Sequence, residues 1–262
     1  MSLKKLIFLC CISSSFSVFA DYQVASREFR NGNYLVAFQQ YTLAAEEGHA
    51  AAQYHMGFML EKGFGIKKNL KLAIYWYQKS AKRGHSYAQN NLALHYQEGT
   101  GIAKNIKLAI FWYKKAARRH ILSAQFNLAQ IYHQGKDVTI DLKEAAKWYG
   151  KAAYRGFSDA QTELAKMYYT GKGVSKSFTQ AARLFKQAAH QGSPTAQYWL
   201  GTFYQKGIGG IPQNNIRAYV WTTLAARELN QHTSQVQRLK KKLRPKELAR
   251  AHRIYKRYAV RF

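Results

Sequence analysis

The amino-acid sequence predicts an all-α protein: an α/α solenoid of stacked antiparallel helix hairpins, wound as a right-handed superhelix and closed by a C-terminal helical cap. Two observations lead to this prediction. Groups of residues recur at intervals of 36 through most of the 262-residue chain, and within each interval the apolar residues have helical spacing. The hydrophobic content of 47% is sufficient for a packed core, which argues against a disordered chain.

Residues 1–20 have the features of a secretory signal peptide. An apolar stretch of about 14 residues follows two lysines, and Val18 and Ala20 provide the small side chains expected before a cleavage site. A helix needs about 20 apolar residues to span a bilayer, so a retained membrane anchor is the weaker alternative. Cleavage would remove Cys10 and Cys11, the only cysteines, and would exclude disulfides and cysteine-bound metals. We expect an exported protein, periplasmic or secreted, with no transmembrane segment after cleavage.

The remaining chain divides into three predicted parts. Residues 21–48 are expected to form a short N-terminal hairpin, with its turn at Gly32. Residues 49–230 are expected to contain five repeats of about 36 residues, and residues 231–262 a basic helical cap. A terminal hairpin would otherwise leave an apolar face in contact with water, which is why a solenoid needs a cap.

Each repeat is predicted to consist of a first helix, a glycine turn and a second helix. In the first repeat, Ala52-Gln53 begins the first helix, Gly63 lies in the turn, and Trp76-Tyr77 lies on the second helix. Equivalent residues follow 36 positions later in the next repeats. A single hairpin cannot bury its apolar side, so each hairpin must pack against its neighbours. We therefore interpret the small and aromatic positions as core residues rather than as a cofactor site.

The repeat resembles that of the Sel1-like repeat family, a branch of the tetratricopeptide superfamily. The match in the second repeat comprises Ala88-Gln89, Leu92-Ala93, Tyr96, Gly99-Thr100-Gly101-Ile102, Leu108-Ala109 and Trp112-Tyr113-Lys114-Lys115-Ala116-Ala117. The resemblance implies an α/α solenoid and a function in protein–protein interaction, often in envelope processes or in contact between bacteria and host cells. His120 and Asp137 replace turn glycines of this pattern, so we expect those two turns to be less regular.

The resemblance also implies a partner-binding groove, because the first helices of tetratricopeptide-type hairpins line the concave side. Three positions per repeat are expected there, at two, six and nine residues after the repeat alanine. Their identities vary between repeats and are mostly aromatic or polar, which suits a peptide held by aromatic anchors. An ordinary surface without a ligand is the alternative. These groove residues are Tyr54, Phe58, Glu61, Asn90, Leu94, Gln97, Phe126, Gln130, His133, Thr162, Lys166, Tyr169, Tyr198, Thr202 and Gln205.

Positive charge dominates the chain, with 41 Lys or Arg residues against 13 Asp or Glu residues and a formal charge of +28. Three second-helix positions recur as lysine or arginine, and we expect them on the convex face. They are Lys71, Lys107 and Lys143, then Lys79, Lys115 and Lys151, then Arg83, Arg119 and Arg155.

The C-terminal segment is basic as well, with eleven Lys or Arg residues from position 238 onward and one acid. Two interpretations remain open: a solvated cap in a basic protein, or an anion-binding end. The residues predicted to bind anions are Arg238, Lys240, Lys241, Lys242 and Arg244.

No pattern in the chain indicates catalysis. The nine histidines lack metal-ligand spacing, and no nucleophile elbow, phosphate loop or dinucleotide motif occurs. We therefore predict no catalytic residue, no metal and no cofactor. The leading hypothesis is a non-enzymatic scaffold that binds a peptide or protein partner in its groove. The alternative is binding of lipopolysaccharide phosphates or an acidic protein through the basic convex face and tail. The export signal and the lack of a nucleic-acid module argue against nucleic acid.

Overall fold

The computed structural model describes residues 22–229, 231 and 233–260, so the expected signal peptide lies outside the described residues. Within those ranges all regular structure is helical, and no strand occurs. The helices are α1 (22–30), α2 (Tyr34–Glu46), α3 (Ala50–Lys62), α4 (Leu70–Lys82), α5 (Ser86–Glu98), α6 (Ile106–Arg118), α7 (Leu122–Gln134), α8 (Leu142–Tyr154), α9 (Ser158–Thr170), α10 (Phe178–Ala189), α11 (Pro194–Lys206), α12 (Asn215–Leu229), α13 (Thr233–Lys241) and α14 (Pro245–Ala259).

The helices belong to two compact units, which divide after Ala124. In the first unit, α2 packs on α3, α3 on α4, α4 on α5 and α5 on α6. In the second unit, consecutive helices pack in the same way from α8 to α12, and both α13 and α14 pack on α12. Within each of these two runs, a helix contacts the next one along the chain, as expected for stacked hairpins. The predicted all-α class and hairpin architecture are confirmed.

Close helix packing brings a small residue against a large one. The ring of Tyr77 on α4 is fully buried and lies over Gly57 on α3. A Cβ atom at Gly57 would lie 2.7 Å from two ring carbons of Tyr77 and 3.0 Å from the carbonyl oxygen of Ala73. Trp76, Trp112 and the equivalent tryptophan of the third repeat are also buried. The aromatic pair therefore forms the core, as the sequence predicted.

In four of the five repeats, the glutamine that follows the repeat alanine links neighbouring hairpins. Its side-chain amide donates a hydrogen bond to a carbonyl oxygen eight residues earlier, near the end of the preceding helix. The pairs are Gln53 with Ala45 (2.9 Å), Gln89 with Ala81 (3.1 Å), Gln161 with Ala153 (3.2 Å) and Gln197 with Ala189 (3.4 Å). Each of these carbonyls also accepts from the backbone N–H of the turn glycine three residues later, so the glutamine is its second donor and ties the next helix to the turn.

Helix N-caps recur with the same period. Asn69 and Asn105 accept hydrogen bonds from the backbone N–H three residues later, each at 3.0 Å, at the starts of α4 and α6. Asp141 does the same for α8 at 2.9 Å. At the starts of α3 and α5, the Nδ1 atoms of His49 and His85 take this role, at 3.2 and 3.3 Å. An N-cap acceptor satisfies an N–H group that has no partner within the helix.

Both residues that replace a turn glycine adopt the backbone conformation of that glycine. His120 and Asp137 have φ angles of 63° and 66°, in the left-handed region that the repeat glycines occupy. The N–H of Ile121 bonds to the carbonyl of Ala116 at 3.2 Å, as the N–H of His85 bonds to that of Ser80 at the equivalent turn. The expectation of a less regular turn is therefore wrong at His120, whereas the turn at Asp137 shares the left-handed φ but not the full bend pattern of its equivalents. The surrounding hydrogen bonds impose the conformation at a cost of about 1 kcal/mol per residue.

Candidate interaction surface

In the first unit, the groove residues of the first repeat form an aromatic surface. Tyr54 and Phe58 lie on α3 with their ring centroids 6.3 Å apart and nearly parallel. Tyr54 also stacks on the imidazole of His85 at 4.7 Å. Both aromatic side chains are partly exposed, so they can contact a partner without any change of the backbone.

A recess of about 570 Å³ lies beside Phe58, between the first helices of the first two repeats. Three groove residues, Phe58, Glu61 and Leu94, are among its lining residues. The recess is lined by Phe58, Glu61, Lys62, Lys68, Leu70, Asn91, Leu94, His95, Glu98 and Thr100. Its volume lies in the range of small-molecule and side-chain pockets, and its walls combine apolar side chains with polar groups.

Glu61 is held in a fixed position at the wall of this recess. One carboxylate oxygen accepts hydrogen bonds from the hydroxyl of Tyr77 at 2.8 Å and lies 3.6 Å from Nε2 of His95. The other oxygen accepts from Nζ of Lys62 at 2.6 Å. The contacts with His95, Lys62 and Tyr77 lower the pKa of Glu61 to about 2, against the opposing effect of burial. The carboxylate is therefore charged throughout the physiological pH range.

His95 is positioned between Glu61 and the following turn. Its Nδ1 atom lies 2.9 Å from the hydroxyl oxygen of Thr100, while Nε2 faces Glu61. Nδ1 also lies 3.1 Å from the carbonyl oxygen of Thr100, so the ring contacts the turn on one side and Glu61 on the other. His95, itself positioned by Thr100, therefore helps to fix the position of the Glu61 carboxylate.

The third groove position of a repeat is bonded by a core tyrosine 16 residues later. Tyr77 donates to Glu61 at 2.8 Å, and Tyr113 donates to Gln97 at 2.9 Å. In the second unit, the hydroxyl of Tyr149 lies 3.4 Å from Nδ1 of His133. Burial raises the pKa of Tyr77 and of Tyr149, so these phenols stay protonated donors. The aromatic pair gave a sequence signal for the core, but not for this contact with the surface.

The groove residues of the second unit lie in separate local settings. The ring of Phe126 packs against Phe157 at 5.4 Å, and Lys166 forms an ion pair with Glu163 at 2.7 Å. Tyr169 packs against Trp199 at 4.8 Å. The partly exposed members of the set in this unit are Phe126, Gln130, His133, Lys166, Tyr169, Tyr198 and Gln205. The side-chain oxygen of Gln205 accepts from Gln235 of α13 at 3.0 Å.

Three of the fifteen groove residues are buried. Asn90 in the first unit accepts a hydrogen bond from the hydroxyl of Ser123 at 3.3 Å. In the second unit, the hydroxyl of Thr162 donates to the carbonyl of Ser158 at 2.9 Å, and that of Thr202 donates to the carbonyl of Tyr198 at 3.1 Å. Their polar groups are used within the fold, so the other twelve residues provide the accessible part of the predicted surface.

The predicted basic positions are all exposed. This holds for the nine recurring lysines and arginines of the second helices and for Arg238, Lys240, Lys241, Lys242 and Arg244 of the C-terminal segment. Within the tail, Arg244 pairs with Glu247 at 3.0 Å, and the backbone N–H of Arg244 also donates to that carboxylate at 2.9 Å. The lysines at positions 240–242 lie at the end of α13 and just after it.

Among the described residues, no cluster of three or more histidine, cysteine, aspartate or glutamate side chains has the geometry to hold a metal ion. None of the helices between residues 22 and 260 that the structure describes combines the length and apolar character required to cross a bilayer.

Comparisons with known proteins give matches for the repeats and for the fold. The family model of the Sel1 repeat matches residues 50–85, 86–120, 122–157, 158–193 and 194–228. The chain is similar to the crystal structure of a protective antigen present in uropathogenic Escherichia coli strains that displays an SLR fold. The identity is 32% and the TM-score 0.84, over 94% of this chain and 54% of the antigen.

A Sel1 repeat protein from Oxalobacter formigenes is similar as well, with 32% identity and a TM-score of 0.75 over 82% of this chain and 88% of that protein. The chain spans about half the length of the E. coli antigen. No curated protein matches the chain.

Proposed function

The chain belongs to the Sel1 repeat family, and from this membership we propose that it is a non-enzymatic scaffold that binds a peptide or protein partner through its groove residues. Sel1 repeat proteins generally act as protein–protein interaction scaffolds, and their fold is typically non-enzymatic. The partner and the surface that binds it are our proposal. We also propose that the protein acts after export, in the periplasm or outside the cell, on the features of residues 1–20.

The observation that supports this function best is the recess of about 570 Å³ beside Phe58. Phe58, Leu70 and Leu94 give it apolar walls, on which an aromatic or aliphatic side chain of a partner can be buried. Glu61 is already bonded by Lys62, Tyr77 and His95, so it keeps the wall in a fixed geometry. Preorganised surfaces of this kind avoid the entropy cost of ordering side chains on binding.

The partner that fits is an extended or helical peptide with one apolar anchor. Tyr54 continues the apolar surface from Phe58 along α3, and helices that bind in grooves present anchors at similar spacing. Partly exposed Asn91 and Gln97 of α5 provide side-chain amides next to this surface. A few buried anchors carry most of the affinity in such interfaces, so Phe58 and Leu94 are the residues expected to matter most.

Site-specific photo-cross-linking tests this proposal. A photoreactive phenylalanine analogue is placed at Phe58, at Leu94 or at Tyr154, which is 94% exposed on α8 and outside the groove residues. Cross-linked partners from cell-envelope extracts are identified, and the affinity of the recovered partner is then measured with the variants Phe58→Ala and Tyr154→Ala. We expect one partner to cross-link from positions 58 and 94 and not from 154. Phe58→Ala removes an anchor and should weaken the affinity for this partner about 10- to 100-fold. Tyr154→Ala should leave that affinity unchanged.

The exposed basic tail favours a second candidate function, which is binding of lipopolysaccharide phosphates or of an acidic protein. The triple substitution of Lys240, Lys241 and Lys242 by glutamine removes three exposed charges. If partner capture is lost in this variant, disappears at high salt and survives Phe58→Ala, the tail rather than the groove binds the partner. Capture that resists salt and is lost in Phe58→Ala would support the groove.

A further inference from the structure

The second helices of the first unit expose apolar side chains in equivalent positions. Leu72 and Tyr75 on α4, and Leu108 and Phe111 on α6, are between 38% and 47% exposed. Residues three apart lie on the same side of a helix, so each pair forms part of one face. Val36 on α2, at the position equivalent to Leu72, is 44% exposed. We call Leu72, Tyr75, Leu108 and Phe111 the outer row.

The repeat fold does not require these apolar residues. At the equivalent positions of the third repeat the chain has Glu144 and Lys147, and in the fourth it has Gln180 and Arg183. Those polar residues lie on α8 and α10, which pack within their own unit like α4 and α6 within theirs. A single exposed apolar side chain is ordinary, but half-exposed apolar pairs at equivalent positions of two second helices are the kind of group that forms a contact surface.

The two segments that carry the outer row are basic and contain no acidic residue. Residues 63–83 and residues 99–119 each contain six lysines or arginines and no aspartate or glutamate, whereas residues 135–155 contain three acids. The ammonium of Lys79 lies 4.8 Å from the ring centroid of Tyr75, and that of Lys115 lies 4.7 Å from that of Phe111. Each of these exposed rings thus contacts a lysine. The same ammonium groups also lie 5.2 Å from the ring centroids of Trp76 and Trp112, respectively.

We propose that the outer row docks this protein on the surface of an anionic phospholipid bilayer. Aromatic and leucine side chains enter the interface of a bilayer to a shallow depth, while flanking lysines remain at the level of the headgroup phosphates. Each lysine near an anionic surface contributes to binding, and the contributions of several add up. The proposal does not depend on the peptide-binding function proposed above, because the groove residues lie on the first helices and the outer row on the second helices.

The charge and size of the surface favour a bilayer over a protein partner. A stable protein interface buries about 800 Å² on each side and has a core depleted in charge. The outer row provides two side chains per helix, with lysines stacked directly on its rings. Such a pattern suits shallow insertion into a negatively charged plane better than a dry protein contact.

Vesicle flotation tests the proposal. The chain processed after Ala20 and the full chain are each mixed with vesicles of phosphatidylcholine, with or without phosphatidylglycerol, so that the effect of residues 1–20 is separated. We expect the processed chain to float with the phosphatidylglycerol vesicles only, and less so at high salt. The double variant Tyr75→Ser/Phe111→Ser should lower its partition coefficient about tenfold. The double variant Lys79→Gln/Lys115→Gln should lower it about 30-fold.

Tyr154→Ser is the matched control, because Tyr154 is an almost fully exposed aromatic residue outside the outer row. It should leave the partition coefficient unchanged. Circular dichroism of every variant checks the fold, and the lysine variant tests the same surface if the serine variant unfolds. Equal binding to both kinds of vesicle, or unchanged binding of both double variants, would overturn the proposal. So would a double variant that keeps vesicle binding but loses an acidic protein partner, since the row would then be a protein interface.

Discussion

Substitution of Gly57 by alanine should destabilise the protein, although alanine is normally the better residue in a helix. Alanine in place of glycine at an open helical position stabilises by about 1 kcal/mol. At Gly57, however, the new Cβ atom would lie 2.7 Å from two carbons of the buried Tyr77 ring and 3.0 Å from the carbonyl oxygen of Ala73. A carbon–carbon contact normally needs about 3.5 Å or more, so the ring and helix α4 must move. Overpacking of this kind costs about 1–3 kcal/mol, and we expect a net loss of about 1–2 kcal/mol.

The matched control is Gly150→Ala on α8. Gly150 is also helical, but a Cβ atom there meets nothing within 4 Å, so this variant should be stabilised by about 1 kcal/mol. The free energy of unfolding is measured by urea denaturation followed by circular dichroism. The m-value is compared to confirm that only stability has changed. The reasoning is refuted if Gly57→Ala stabilises the chain as much as Gly150→Ala does.

Two further predictions concern the first two repeats. Burial, together with the nearby His85 and His49, lowers the pKa of His55 from 6.5 to about 4; the folded state therefore binds fewer protons than the unfolded state between these values. The contribution of His55 to stability is complete above pH 6.5 and is lost as the pH falls to about 4, by about 3 kcal/mol in total. His55→Phe should thus lose less stability than the wild type between pH 7 and pH 4 in thermal unfolding, and an equal loss would contradict the assignment. Asn105→Ala should destabilise helix α6 by about 1 kcal/mol through loss of its N-cap, seen as faster hydrogen exchange of its first amides, whereas Asn105→Asp, which keeps the acceptor, should not.

Acid sensitivity also has a structural cause outside His55. The Nδ1 atoms of His49 and His85 accept N-cap hydrogen bonds, and a protonated imidazole has no acceptor. Burial lowers the pKa of both residues, so they act in the same direction as His55. Part of the acid sensitivity should therefore remain in His55→Phe.

The recurring positions made the fold predictable from the sequence. The 36-residue period located the hairpins. The small residue on each first helix and the aromatic pair on each second helix correctly predicted a core in which small residues pack against large ones, as Gly57 does against Tyr77. Twelve of the fifteen groove residues are partly exposed, and their role in binding stays a prediction. The period did not indicate how far each side chain extends towards the surface. At one groove position Tyr54 extends to the surface, whereas the shorter Asn90 and Thr162 are covered by their neighbours.

Several features were not predicted from the sequence. The bond between Tyr77 and Glu61 requires the separation of two helices, which a repeat pattern does not give. The role of His49 as an N-cap was hidden because histidine is not among the residues preferred there. The outer row was not predicted because it does not recur in every repeat. Leu72 and Glu144 occupy the same repeat position with different residue types, so the 36-residue period gives no signal there.

The repeated phenol beneath the third groove position allows the repeats to differ without a change of architecture. Tyr77, Tyr113 and Tyr149 each present one hydroxyl to the adjoining first helix, and the side chains they meet are an anion at Glu61, a neutral amide at Gln97 and an imidazole at His133. Any side chain that places a hydrogen-bond acceptor next to this tyrosine hydroxyl can satisfy it. Engineers could therefore alter the electrostatic character of one repeat at this site, for example with Gln97→Glu, and leave the scaffold that supports it intact.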